Sequence, residues 1–235
     1  MDTKKRNMII GAGTAAAVIL VVGLLAAFGV FRGFNPEGYV KAVLDQSLKG
    51  EVEAAAQLMA GTTEDKLYEQ YEAGIASFAE NSILQGIQIE EEMKAEYKDK
   101  FTAVCKKIFA SMKYEVLEAT EKEDGDGFDV TVSYQPSNVF TNFIVKIAEE
   151  SQRLYEKADN GEYRGLWEEI KSQMEEELIQ NTYTLLEECN KNMEYGEQET
   201  YVFEIIKDEE GMYDLDEAQV VEFITKILDL DENQG

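Results

Sequence analysis

Histidine is absent from this 235-residue chain, and proline, cysteine and tryptophan number two, two and one. Without histidine the chain lacks the commonest neutral-pH general base and the commonest transition-metal ligand. Ser–His and Cys–His nucleophilic pairs are excluded, as are His-containing zinc sites, and two cysteines cannot make a four-thiolate one. No glycine-rich phosphate loop is present. Basic residues are also scarce: 22 Lys and Arg stand against 48 Asp and Glu, a net charge of −26. Such a surface repels phosphates and anionic head groups, so nucleic acid is excluded as an expected partner. The 44% apolar content and near-absence of proline speak against disorder.

What is present begins with one apolar stretch. Met8 to Phe31 is 24 residues without a charge, preceded by Lys4, Lys5 and Arg6. As a helix at ~1.5 Å per residue it would reach about 36 Å, enough to cross a hydrocarbon core of about 30 Å. Basic residues mark the cytoplasmic side, so residues 1–7 are expected to stay in the cytoplasm. Residues 8–31 would then be a single-pass transmembrane signal anchor in the cell membrane, and residues 33–229 an exported domain. The run is longer than the apolar core of a cleaved secretory signal, about 7–15 residues. No cysteine follows it to carry a lipid. The pairs Gly11–Ala15, Gly13–Ala17 and Gly23–Ala27 place small residues four apart, a spacing that allows a weak homodimer through the membrane helix.

Beyond residue 32 there are 18 basic and 47 acidic residues, a net of −29. Solubility outside the cell accounts for this, and attraction of cations or a basic partner is the sharper alternative. Asn35-Pro36 supplies an N-cap and a first-turn proline for a helix over Tyr39 to Leu48 that ends at Gly50. A short piece to Gly61 follows, and then a helix opened by Thr62 and Asp65 as a capping box. Residues 81–89 read as a loop or short strand, and Met93 to Met112 as a longer helix. The period then changes from 3.6 to 2: Phe128 to Tyr134 alternates without a break, with Tyr114–Leu117 as its partner strand. Helical stretches at about 139–158 and 162–194 form a helical insertion, 139–194. A second hairpin follows, from Tyr201–Ile206 through Lys207–Gly211 to Leu215. Its first strand is apolar on both faces and is expected to be central. Asp216 and Gln219 read as a capping box for the last helix, and 230–235 as a disordered tail. The expected class is α+β, a helix-rich domain with a small curved antiparallel sheet of two hairpins.

Three groups invite chemistry. Asp124, Asp126 and Asp129, in the turn Glu121 to Asp129, could form a weak extracellular calcium site. The same Asp-Gly pairs are what a hairpin turn requires, and the spacing does not match the twelve-residue calcium loop. Cys105 and Cys189 fall on apolar helix stripes. They either pair, closing a loop worth about 4–5 kcal/mol, or serve as small buried apolar groups. The 12 Tyr and 11 Phe fit core packing, with a ligand cavity as the alternative. No catalytic residue and no cofactor is indicated.

The run Lys207 to Asp216 (KDEEGMYDLD) resembles the final hairpin of exported Gram-positive proteins of unknown function, and Tyr39 to Leu48 with Gly50 is similar to their first helix. Tyr213 stands where they carry Trp. The resemblance implies a nuclear-transport-factor-2-like (cystatin-like) fold, a curved sheet wrapped around helices, and no known catalytic residues. The expected function is a membrane-anchored extracytoplasmic binding or interaction domain for a protein, peptide or small molecule. The alternatives are a carboxylate-based enzyme with a cavity between sheet and helices, and a weak cation-binding module.

Overall fold

Asn35 caps the first helix as its side chain demands. Its Oδ1 accepts the Gly38 N–H at 2.9 Å, Pro36 occupies the first turn, and Gly50 closes the helix with φ 69°. In this computed structural model, which describes residues 34–58, 62–87, 89–123, 125–208 and 211–230, that helix is α1 (Pro36–Lys49). It is followed by α2 (Glu53–Leu58) and α3 (Glu64–Phe78). The N-cap of α3 is Thr63, whose Oγ1 accepts the Lys66 N–H at 3.3 Å, one residue beyond the expected Thr62. Of residues 81–89, expected as loop or strand, the first six instead prolong α3. A π-turn (Ala79–Ile83) and a 3₁₀ turn (Leu84–Gly86) bury Ala79, Ile83 and Leu84. Polar Ser77, Asn81 and Gln85 obscured that apolar face in the sequence, and they hydrogen-bond to one another in series along it.

Helix α4 (Glu91–Ala110) leads into β1 (Lys113–Glu121) and β2 (Gly127–Gln135). Helices α5 (Val139–Asp159) and α6 (Trp167–Lys191) intervene before β3 (Glu199–Lys207), β4 (Tyr213–Leu215) and α7 (Glu217–Ile227). The strands make one antiparallel sheet in the order β1-β2-β3-β4. The two expected hairpins are therefore its halves, and a bulge between Val116 and Glu118 bends the first strand. The architecture is α+β, with seven α-helices among the described residues.

The insertion of α5 and α6 leaves the sheet and rejoins it at adjacent points. Asn138 N–H donates to Glu194 O at 3.1 Å, Gly196 N–H to Pro136 O at 2.8 Å, and Ser137 pairs with Tyr195. β2 and β3 then pair unbroken from Gly127↔Ile206 to Tyr134↔Glu199. At one end of this ladder the backbones are too close for any side chain on residue 127: a Cβ there would sit 2.0 Å from Ile205 O. Gly127→Ala should therefore destabilise the domain by about 1–3 kcal/mol, read from the urea midpoint, whereas Gly125→Ala meets only the cost of its positive φ.

One face of the sheet is sealed. Val130, Val132, Phe203 and Ile205 are fully buried there beneath α1 and α7. Phe223 of α7 places its ring 5.3 Å from Tyr134 and Phe203, 5.6 Å from Tyr201 and 6.3 Å from Tyr114. Farther out, Phe78 joins α3 to Phe109 of α4 and Phe140 of α5, and Phe101 of α4 meets Tyr183 of α6. β3 is an inner strand as expected, but only one of its faces is covered. β4 is just three residues long, so it leaves Glu204 on β3 without a strand partner on that side. Gln219 fills the gap: its Oε1 accepts the Glu204 N–H at 2.7 Å and its Nε2 donates to Glu204 O at 3.0 Å. The expected capping box is thus halved, since Asp216 caps α7 through Ala218 N–H at 2.9 Å and Gln219 serves the sheet. Leu230, expected to fray, instead packs on the core and donates its N–H to Thr225 O at 3.0 Å. The expected cytoplasmic tail, membrane segment 8–31 and residues 231–235 lie outside the described residues. No helix among the described residues is long and apolar enough to cross a membrane.

Candidate functional site

The other face of the sheet is uncovered. Its side chains form cross-strand rows: Lys113 and Gln135; Glu115, Ser133 and Thr200, of which Ser133 is buried between its neighbours; Glu118, Thr131 and Val202; Thr120, Asp129 and Glu204; and Gly127, Ile206 and Asp214. Val202 is 49% exposed and Ile206 54%, on the strand whose alternate residues Phe203 and Ile205 are fully buried. Five carboxylates share this face with Lys122, which lies 2.7 Å from Glu204 and 3.4 Å from Asp129. The hydrogen bond to Glu204, with the Asp129 charge beside it, holds the Lys122 ammonium above its ordinary pKa. Sequence alternation already hinted at this surface through Val202 and Ile206, but periodicity alone does not say whether a second apolar face is covered.

Every displaced carboxyl among the described residues is displaced downward. Asp45, only 8% exposed, accepts from Lys41, from Lys49 at 2.9 Å and from the Tyr114 hydroxyl at 2.6 Å. Burial raises its pKa, but these three donors outweigh burial and leave it below the usual range. Between α5 and α6, Glu177 accepts from Lys157 at 2.7 and 2.8 Å, Arg153 at 2.7 Å and Tyr163 at 2.7 Å, and Arg153 also holds Glu150. Burial again opposes ionisation, yet the donors bring Glu177 down to about 2 and Glu150 below its ordinary value. Lys106 likewise lowers Glu72 across α3 and α4. These nodes join elements distant in sequence, and their carboxylates are engaged by cations. A general acid requires the opposite displacement.

The residues singled out in the sequence are scattered. Asp124 lies outside the described residues. Asp126 accepts the Lys207 N–H at its carbonyl at 2.8 Å, and Asp129 faces Lys122 on the open sheet. No group of three or more acidic or cysteine side chains converges for a metal ion among the described residues. Cys105 and Cys189 are buried on α4 and α6 as free thiols rather than as a disulfide, and burial pushes both pKa values up. Their apolar stripes turn each into its own part of the helix packing, which is the small-hydrophobe alternative.

Phe34 was given no role by its sequence position, yet it is the hydrophobic N′ residue that staples against N4, here Tyr39, at 5.7 Å between ring centroids. It also stacks on Tyr213 of β4 at 4.2 Å and 13°, and approaches Phe128 of β2 at 5.9 Å. The signal was an aromatic immediately before Asn35-Pro36.

No family model and no curated protein matches this chain. Among solved structures, the chain is similar to a candidate lipoprotein, YcdA, of Bacillus subtilis subsp. subtilis strain 168, with 14% identity and a TM-score of 0.45. The match covers 81% of this chain and 55% of that one, so the chain spans about half the length of the protein it matches.

Proposed function

We propose that this chain is a membrane-tethered, extracytoplasmic interaction domain without catalysis, which docks a basic polypeptide on the uncovered face of its sheet. The observation that carries the reading is the asymmetry of that sheet. One face is sealed by Phe223 and its neighbours, while the other presents Val202 and Ile206 within a polar rim. An aliphatic pair inside a charged border is the composition of a docking surface. Five carboxylates against two lysines, Lys113 and Lys122, give that border its preference for cationic side chains. The tether is the uncharged stretch 8–31, and the flanking Lys4, Lys5 and Arg6 set its orientation. The nuclear-transport-factor-2-like expectation rests on the resemblance of Lys207 to Asp216 and of Tyr39 to Leu48 with Gly50.

The test is photo-crosslinking in intact cells. A photoreactive residue at Thr131 is expected to trap a defined adduct, which one at the exposed Glu156 on α5 does not. The double variant Val202→Thr/Ile206→Thr, which removes the aliphatic pair and keeps β-branched side chains, should remove most of the Thr131 adduct while changing unfolding free energy by no more than about 0.5 kcal/mol for each exposed site. Adducts of equal yield from both positions, or an adduct indifferent to the double variant, would overturn the reading.

A further inference from the structure

We infer that the domain stands on the membrane by the turn end of its sheet, held close to it by Phe34. The inference rests on the tether proposed above and adds the orientation of the docking surface relative to the bilayer. Three residue steps separate Phe31, the last of the uncharged stretch, from Phe34. Three residues span at most about 10 Å, so Phe34 lies within that distance of the end of the expected membrane segment.

Phe34 is a fixed point of the fold. It stacks on Tyr213, meets Phe128 and staples Tyr39, and so grips β2, β4 and α1 at once. Phe128 and Tyr213 both sit beside the hairpin turns: Gly127 precedes the first, and the 208–212 turn precedes the second. Those turns form one body, because Lys207 N–H donates to Asp126 O at 2.8 Å and Lys122 N–H to Gly127 O at 3.0 Å. The end of the sheet nearest the bilayer is therefore this turn end. The start of β1 and the end of β2 lie at the opposite end, about 26 Å away along a nine-residue strand at roughly 3.3 Å per residue. The acidic side chains of the turns, Glu121, Glu123, Asp126 and Asp208, repel anionic head groups and oppose tipping of this end into them. The open sheet face then rises from the membrane surface, and a partner reaches it from the side.

The test uses the full-length chain with Cys105→Ala and Cys189→Ala, a single cysteine at Glu123→Cys or Ser111→Cys, and a donor dye. It is reconstituted into phosphatidylcholine vesicles carrying a head-group acceptor. Energy transfer to the lipid should be at least twofold greater from position 123 than from 111. Inserting ten Gly and Ser residues between Arg32 and Gly33 should erase most of that difference while leaving the Phe34 contacts intact, and Phe34→Ala should do the same. Protein that fails to float with the vesicles would sink the tether reading itself. Protein that floats but shows equal or reversed transfer would overturn the orientation alone. A difference that survives the insertion would overturn the role given to the short connection.

Discussion

Phe223→Ala is expected to lower the unfolding free energy by about 3–5 kcal/mol, seen as a shift of the urea midpoint at little changed slope. Set against a typical total of about 5–15 kcal/mol, this is enough to bring the domain near the threshold of folding. The ring is fully buried on α7 and touches aromatic residues of β1, β2 and β3. Its loss removes transfer energy and leaves a cavity whose floor is a hydrogen-bonded sheet. A paired four-stranded sheet cannot collapse inward without breaking register, so little of the cavity closes. The comparison is Val145→Ala on α5, 55% exposed, which should change stability by less than about 0.5 kcal/mol. A loss below about 1.5 kcal/mol for Phe223→Ala would mean that α7 does not seal the sheet.

Asp45→Ala should cost about 2–4 kcal/mol at neutral pH, and the cost should shrink in acid. Breaking a buried ion pair by removing one partner costs about 3–5 kcal/mol. Here Lys41 is 59% exposed and recovers hydration, which lowers the figure. The Tyr114 hydroxyl, however, is left without its 2.6 Å acceptor. Because the folded-state pKa of Asp45 lies below its ordinary value, its contribution is present above the unfolded carboxyl pKa of about 3.9 and is lost as pH falls through the folded one. The gap between wild type and variant should therefore narrow below that range. Glu177 behaves alike, with its contribution lost between about 4.5 and about 2. Being a quarter exposed and solvent-screened, it is worth only about 1 kcal/mol. The chain has no histidine, and the displaced carboxyls among the described residues are all displaced downward, so proton uptake on folding gives the native state no advantage in mild acid. Wild-type stability should consequently change little from pH 7 to about pH 5 and fall below about pH 4. Urea midpoints across pH 2.5–7 decide the matter. Wild type and Asp45→Ala declining in parallel to the acid limit would show that the node contributes no linked stability.

Where the sequence was readable, the signal was local. Asn35, Pro36 and Gly50 bound α1 because capping and left-handed closure act within a single turn. The unbroken alternation of Phe128 to Tyr134 reports a strand because successive side chains must point to opposite faces. Local signals also misled by small margins: Thr62 and Thr63 are chemically equivalent candidates, and only the final helix direction chose the second. Gln219 sits at a capping-box position, yet a neighbouring strand short of a partner competes for the same amide and wins.

The order of elements, the helix ends, the alternating strands, the acidic surface and the lack of any histidine-based chemistry follow from the amino-acid sequence alone, because each depends on residue identity or on spacings shorter than two helical turns. Tertiary structure alone decided which sheet face stays open, how Glu177 finds Lys157 and Arg153, and that Phe34 closes on Tyr213. The last two join residues from 20 to 179 positions apart along the chain. Such pairings are selected by the packing of the whole core, which no local period encodes.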